Sequence, residues 1–89
     1  MMMRKRTGIV FKAHRLKIHP EYFQPVLDGI KLFEIRKNDR NFQVGDFATL
    51  NEYNPDTKEF TGRTISVRIS YMTDFMQQEG YVVLGLKID

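Results

Sequence analysis

The densest cluster of side chains that could do chemistry lies in the ten residues 31–40. Within it, Lys31, Glu34 and Arg36 supply an ammonium, a carboxylate and a guanidinium group. If residues 32–37 form a strand, Glu34 and Arg36 share one face, because alternate strand side chains point to the same side. A carboxylate can then fix the arginine while spare guanidinium donors bind a phosphate or a base edge. The alternative is an ordinary exposed ion pair, which contributes about 0–1 kcal/mol to stability. From the residue types and spacing alone, this alternative is favoured.

The charge distribution favours a polyanion as partner. Six bases and no acid occur among the first nineteen residues, whereas residues 41–89 contain four bases and seven acids, and the net charge of the 89 residues is +3. A basic end followed by the basic segment 31–40 is typical of proteins that bind nucleic acid. A solubilising tail and a solvated face explain the charge alone at least as well.

Alternating apolar and polar residues predict the strands that must position this cluster. The alternation is clear in residues 32–37, 46–53 and 64–71. Residues 81–88 are more uniformly apolar, which is typical of a central strand, and residues 16–18 form a short first strand.

The same alternation predicts which side chains form the core. In the strand 32–37, the apolar face opposite Glu34 and Arg36 contains Phe33 and Ile35. In the strand 64–71, four residues share the apolar face: Ile65, Val67, Ile69 and Tyr71. Core positions are also predicted for three further aromatic residues, Phe23, Phe47 and Phe60. Gly85, inside an apolar strand, predicts a bulge or a close approach of two backbones.

One short helix is predicted in residues 19–29, between the first two strands. Pro20 suits the first helical position, and Gly29 suits the left-handed residue that follows a helix. Pro25 has no N–H group, so it predicts a late start, a kink or a 3₁₀ turn. The apolar stripe of this helix is expected to plug one end of a barrel, and it consists of Tyr22, Phe23, Val26, Leu27 and Ile30.

Five short strands with one helix after the first predict a mainly β domain of the α+β class, with a small curled sheet or barrel. The domain is expected to cover residues 14–89. Residues 1–13 form either a basic tail or an additional edge strand through residues 8–11. Residues 72–80 form a loop or one helical turn. Its side chains Met72, Phe75 and Met76 are expected to fill the open end of the barrel, and the alternatives are an apolar lid or a protein contact.

Composition excludes several classes of protein. The absence of cysteine removes disulfides and thiolate metal sites. No apolar run reaches the roughly 18 residues that span a bilayer, and residues 1–13 lack a signal-peptide pattern, so we expect a cytoplasmic protein with no membrane partner.

His14 and His19 have no partner at a zinc-ligand spacing, so no metal or other cofactor is expected. His14 is expected to pack or hydrogen-bond at the start of the first strand, and His19 to contact the start of the helix. The alternative for either residue is contact with nucleic acid, since imidazole stacks on bases.

The run Gly29-Ile-Lys31-Leu-Phe-Glu34-Ile-Arg36 resembles the Gly-x-Lys-x-x-Glu-x-Arg signature of ASCH domains, which belong to the PUA-like superfamily. Flanking blocks over residues 14–88 are similar to a short stand-alone bacterial and phage branch of that family. These blocks are His14-x-Leu16-Lys17-Ile18, Pro20-Glu-Tyr-Phe23, Lys37-Asn38-Asp39-Arg40, Val44-Gly45-Asp46, Glu52-Tyr53, Tyr71 and Gly80-Tyr-Val-Val-Leu84. The resemblance implies a PUA-like β-barrel of five to six strands, with a cleft near the helix that accepts RNA or a modified nucleotide.

The resemblance also implies roles for individual residues. Lys31 would place positive charge beside a phosphate, Glu34 would accept from a base N–H or act as a general base, and Arg36 would make a bidentate contact. Tyr53 and Tyr71 end strands and carry hydroxyl groups, so they are expected at the cleft rim. The full set predicted to bind RNA or a nucleotide is Lys17, Lys31, Glu34, Arg36, Lys37, Asn38, Arg40, Tyr53 and Tyr71.

Two alternatives from other classes remain open. A small hydrolase acting on a modified nucleoside or on RNA would use Lys31 and Glu34. Similar amidohydrolases carry a Lys-x-x-Thr motif in this region, and Glu34 occupies the position of their threonine hydroxyl. The other alternative is a protein-interaction module, a monomer or a weak dimer that pairs through an edge strand.

Overall fold

The computed structural model describes residues 10–89 as a mainly β chain with one short helix. In chain order the elements are β1 (Ala13–Ile18), α1 (Pro20–Leu27), β2 (Phe33–Lys37), β3 (Phe47–Asn54), β4 (Glu59–Thr73) and β5 (Tyr81–Ile88). The five predicted strands and the helix after the first strand are confirmed. β4 is longer than predicted, since it begins at Glu59. The possible edge strand through residues 8–11 lies partly outside the described residues, and Val10 and Phe11 are not in a strand.

The strands form a curled sheet with the order β1-β3-β4-β5-β2, which makes a half-barrel. β1 runs parallel to β3, whereas the other neighbouring strands are antiparallel. Within residues 10–89, β1 and β2 are therefore the two edges of the sheet. The curl brings these edges to face each other, because side chains of β2 and the loop after it reach the backbone of β1.

The hydrophobic core lies between the sheet and α1. Most of its side chains come from alternate strand positions, as expected for strands with one buried face. The buried apolar residues are Leu16, Ile18, Phe23, Val26, Phe42, Ala48, Leu50, Ile65, Val67, Ile69, Val82, Leu84 and Leu86. Phe42, in the loop between β2 and β3, is fully buried and was not predicted. Burying such a ring contributes about 1.5–3 kcal/mol.

Helix α1 begins at Pro20, after the N-cap His19, and continues through Pro25. Of the three alternatives predicted from Pro25, the late start was therefore wrong, while Gly29 has the expected left-handed conformation with φ of +74°. No helix in the described part of the chain is long and apolar enough to cross a membrane.

Only part of the predicted helical stripe is buried. Phe23 and Val26 belong to the core, whereas Tyr22, Leu27 and Ile30 are exposed. An eight-residue helix that packs against the sheet through one narrow face buries about one residue per turn. The predicted plug was therefore wrong for three of its five residues.

The predicted core face of β2 is inverted. Glu34 and Arg36 do share a face, but Glu34 is only 7% exposed, while Phe33 and Ile35 are 43% and 54% exposed. The inner positions of this edge strand face the gap beside β1, where cations satisfy the buried carboxylate. The predicted core positions of two other rings, Phe47 and Phe60, were also wrong, since both are exposed.

A β-bulge changes which side chains of β4 face the core, so the predicted core position of Tyr71 was wrong. The register between β4 and β5 shifts between Ile69 and Tyr71, so the side-chain alternation changes phase there. Tyr71 is consequently 64% exposed, and Met72 packs against the core in its place. The other three predicted residues of this face are buried. Gly85 confirms the predicted close approach, since a Cβ there would lie 3.1 Å from the Cβ of Tyr71.

The segment that follows β4 is a loop with turns. Phe75 and Met76 are exposed in this loop, so the prediction that they fill the open end of the barrel was wrong. The turns hold the two side chains away from the sheet, and only Met72, which still belongs to β4, reaches the core.

A buried carboxylate joins the starts of β1 and β3. Asp46 is 1% exposed and accepts hydrogen bonds from His14 Nε2 at 2.8 Å and from the backbone amides of Lys12 and Gln43 at 3.0 and 3.1 Å. Burial alone would raise the pKa of Asp46, but the hydrogen bonds outweigh it and hold this pKa below its usual range. The predicted hydrogen-bonding role of His14 at the start of the first strand is confirmed.

We expect Asp46→Asn to lower the free energy of unfolding by about 1–3 kcal/mol, because an amide nitrogen in place of one oxygen leaves a buried donor without an acceptor. Urea unfolding followed by circular dichroism measures the change. The matched control is Asp74→Asn, which alters an exposed carboxylate and should stay within about 0.5 kcal/mol of the unmodified protein. Equal stabilities of the two variants would contradict the anchoring role of Asp46.

Candidate functional site

Two arginine side chains bridge the gap between β1 and β2. Arg36 Nη1 donates to the carbonyl of Lys17 at 3.1 Å, and Arg40 Nη1 donates to the carbonyl of Arg15 at 2.8 Å. The carbonyl of Lys12 bonds toward β3, and strand carbonyls alternate in direction, so those of Arg15 and Lys17 point to the open edge of β1. We call these two bonds the seam. They take the place of a backbone ladder between the two edges.

A cleft of about 580 Å³ lies beside the seam, and we call it the basic cleft. Five basic side chains and one acidic side chain line it, although the whole chain has an excess of only three positive charges. The cleft therefore concentrates positive potential and favours anions. Its lining residues are Arg15, Leu16, Lys17, Arg36, Arg40, Asn51, Glu52, Phe60, Gly62, Arg63 and Thr64.

A second pocket of about 540 Å³ adjoins the basic cleft, and Lys17 and Arg36 line both. Among its lining residues, Lys31 Nζ lies 2.5 Å from Glu34 Oε1, and Arg36 Nη1 lies 3.3 Å from Glu34 Oε2. The buried carboxylate therefore holds both cations of the Lys-x-x-Glu-x-Arg segment. Because Arg36 also bonds to β1, Glu34 fixes the position of a seam residue.

The structure brings together five of the residues predicted to bind RNA or a nucleotide. Lys17, Lys31, Glu34, Arg36 and Arg40 each line at least one of the two pockets. They come from three parts of the chain: β1, the segment from the end of α1 through β2, and the loop that follows β2.

The other four predicted residues lie outside both pockets. Tyr53 stands at the margin of the basic cleft, with Lys17 Nζ 4.2 Å from its ring centroid. Asn38 shapes the loop after β2, since its Oδ1 accepts from the amide of Phe42 at 2.8 Å. The remaining two, Lys37 and Tyr71, are exposed on β2 and at the β4 bulge.

An ion pair that the sequence did not predict lies in the lining of the basic cleft. Glu52 is buried and accepts from Arg63 Nε at 3.0 Å, from Arg63 Nη2 at 3.1 Å and from Thr61 Oγ1 at 2.7 Å. The hydrogen bonds from Arg63, followed by the one from Thr61, hold the pKa of Glu52 below its usual range. Arg63 Nη2 also donates to Gln24 Oε1 at 2.9 Å, which ties α1 to β4.

A second bulge places these residues at the cleft. Asn51 pairs with Thr64, whereas Tyr53 pairs with Phe60, so β4 contains extra residues relative to β3. Gly62 lies in this stretch with φ of +93°, a conformation that glycine adopts at little cost. The bulge explains why sequence alternation does not predict these residues. Gly62 was the available signal, since a glycine inside a strand often marks a bulge.

The two histidines make structural contacts. His14 bonds Asp46, and its ring packs edge-on against Phe42 with centroids 4.7 Å apart. His19 occupies the N-cap position of α1 without a side-chain capping hydrogen bond, and its Nδ1 lies 3.7 Å from Glu21 Oε1.

The fold and the site define a small, mainly β domain with a basic cleft where the two edges of its curled sheet meet. Residues 13–86 match the sequence profile of DUF3850, a domain of unknown function, and the chain belongs to this family. Over 74 residues it is 43% identical to an uncharacterized 12.9 kDa protein in the GpA 3′ region of Escherichia phage P2. The match covers 82% of this chain and 66% of the phage protein, which is just under two thirds of that relative's length.

Acid is expected to destabilise the fold through Glu52. Because the pKa of Glu52 is lowered in the folded state, the unfolded chain binds a proton first as the pH falls below its ordinary value of 4.5. The stabilisation is complete above that pH and is lost as the pH falls through the folded-state pKa. Urea unfolding at a series of pH values should give a steeper loss for the unmodified protein than for Glu52→Gln.

At neutral pH we expect Glu52→Gln to be less stable by about 1–3 kcal/mol, because Arg63 loses its charged partner. Glu79→Gln is the matched control, since it removes an exposed carboxylate in the loop after β4. A Glu52→Gln protein with the same pH dependence as the unmodified protein would contradict this assignment.

Proposed function

We propose that this protein is an RNA- or nucleotide-binding module of the ASCH type, within the PUA-like superfamily, and that its ligand binds in the basic cleft. The observation that carries the proposal is the convergence of five basic side chains around one acid in a cleft of about 580 Å³. The single acid, Glu52, is already neutralised by Arg63. The other four cations lie around it with no second acid in the lining of the cleft.

The chemistry of these cations favours phosphate as the anion. Arg36 and Arg40 each use Nη1 in the seam, and a guanidinium group has five N–H donors in a fixed planar arrangement. Donors therefore remain for a phosphate oxygen while the seam bonds hold each side chain in place. Lys17 adds a point charge to the lining of the same cleft, and Arg15 adds an exposed guanidinium group. A run of phosphates along β1 would meet all four.

The arrangement of the signature segment supports the family part of the proposal. Lys31, Glu34 and Arg36 meet around one carboxylate near α1, where the ASCH resemblance implies a cleft. A half-barrel whose edges are joined by side chains is also compatible with a PUA-like barrel. A 540 Å³ pocket next to the basic cleft has the size of sites that accept small ligands, including nucleotides.

We expect Arg15→Ala and Arg40→Ala to weaken binding of a short single-stranded RNA. Each removes one cation, so the slope of log affinity against log salt should become shallower by about 0.7. Fluorescence polarisation of labelled RNA at several salt concentrations measures both quantities. Arg15→Ala is the cleaner variant, because only the backbone of Arg15 takes part in the seam.

Arg68→Ala is the matched control, since Arg68 is exposed on β4 and lines neither pocket. Circular dichroism and urea unfolding should show that each variant is folded. Binding that is absent at low salt, or that Arg68→Ala weakens as much as Arg15→Ala, would overturn the proposed cleft.

A second candidate function is hydrolysis of a modified nucleoside or of RNA. The observation that favours it is the contact of 2.5 Å between Lys31 Nζ and the buried carboxylate of Glu34, in a pocket that also contains Tyr22 and Phe33. If the pair is catalytic, incubation with RNA or acylated nucleosides should yield products. Glu34→Gln should abolish product formation while Glu79→Gln leaves it unchanged. An absence of product with the unmodified protein would remove this candidate.

A further inference from the structure

An exposed aromatic ring lies among the cations of the basic cleft. Phe60 is 57% exposed and lines the cleft together with Lys17 and Arg63. Among the residues that line this cleft, Phe60 is the one with an aromatic side chain. The residue is therefore placed where an apolar, planar ligand group would be next to bound anionic groups.

The ring is held in position by its neighbours. Phe60 pairs with Tyr53 across β3 and β4, and the two rings pack edge-on with centroids 5.0 Å apart and planes at 68°. Lys17 Nζ lies 4.2 Å from the Tyr53 centroid and 6.0 Å from the Phe60 centroid. Phe60 remains 57% exposed beside Tyr53, so ring surface is available to a ligand.

We propose that Phe60 is a stacking platform for one unpaired nucleobase whose flanking phosphates bind Lys17, Arg15 and Arg40. This inference rests on the proposed function and narrows its ligand to single-stranded nucleic acid. An exposed ring beside a basic groove is the combination that binds unpaired bases with little sequence preference. A paired base inside a duplex cannot offer its face to the ring without leaving the stack.

Glu52 holds the bulge that lies next to this platform. It binds Thr61 and Arg63, the residues that flank Gly62 in the bulge next to Phe60. The bulge changes the register between β3 and β4 and so places Phe60 opposite Tyr53.

The absence of tryptophan from the sequence permits a direct test. In Phe60→Trp, the new side chain is the only indole, and a stacked base should quench its fluorescence. Titration with a short single-stranded RNA should quench the emission, whereas the same RNA in a duplex should give a much smaller change. Polyphosphate should compete for the cations without the same quenching. Phe75→Trp is the matched control, because Phe75 is exposed and lines neither pocket.

A second measurement separates stacking from charge. Phe60→Ala should weaken binding of single-stranded RNA by about fivefold to a hundredfold, the range for loss of one base-stacking contact. The salt dependence should stay unchanged, because no cation is lost. Phe60→Leu, which keeps an apolar side chain without a ring face, should behave like Phe60→Ala.

The outcomes distinguish the two proposals. If the unmodified protein binds RNA with salt dependence but Phe60→Ala binds equally well, or duplex binds as tightly as single strands, the stacking platform is overturned and the basic cleft stands. If the unmodified protein binds no RNA at low salt, both are overturned. The stacking platform is supported if RNA quenches the emission of Phe60→Trp but not that of Phe75→Trp, and if Phe60→Ala loses affinity for RNA.

Discussion

The seam between β1 and β2 is the constraint on which the site depends. A curled sheet whose edges do not pair leaves a row of backbone groups open at each edge. Here two guanidinium groups, from Arg36 and Arg40, satisfy carbonyls of β1 from across the gap. The distance between the edges is therefore set by the length of an arginine side chain. That spacing opens the two pockets and places positive charge along the mouth of each.

Two buried carboxylates hold this concentration of charge together. Glu34 lies between Lys31 and Arg36, and Glu52 lies below Arg63. Like charges so close together repel one another, and a buried counterion on each side of the seam offsets part of that repulsion. The cations in turn satisfy the oxygens of these carboxylates, which would otherwise be buried without a partner. The cations are thus oriented before any ligand arrives, so little side-chain freedom remains to be lost on binding.

The sequence predicted the elements well because period-two alternation is a local property that reports directly on strands. The prediction of buried and exposed side chains failed where contacts with a neighbouring strand determine which of them are buried. Glu34 is inside because cations from β2 and its flanks meet it there, and Tyr71 is outside because β4 bulges against β5. The pairing of Glu52 with Arg63 needs a register shift that alternation does not encode. The sequence did predict that three site residues lie together, because they share one short segment: Lys31, Glu34 and Arg36.

The seam also has a consequence for how variation at this site is interpreted. Arg36 and Arg40 close the sheet with some of their donors and face the cleft with the rest. Lysine keeps the charge but not the planar set of donors, so it cannot replace both contributions. A lineage that abandoned its ligand would still be selected to retain these arginines for folding. Their retention among relatives would therefore be weak support for a shared activity, whereas Arg15 and Phe60, which have little part in closing the sheet, would be the informative positions.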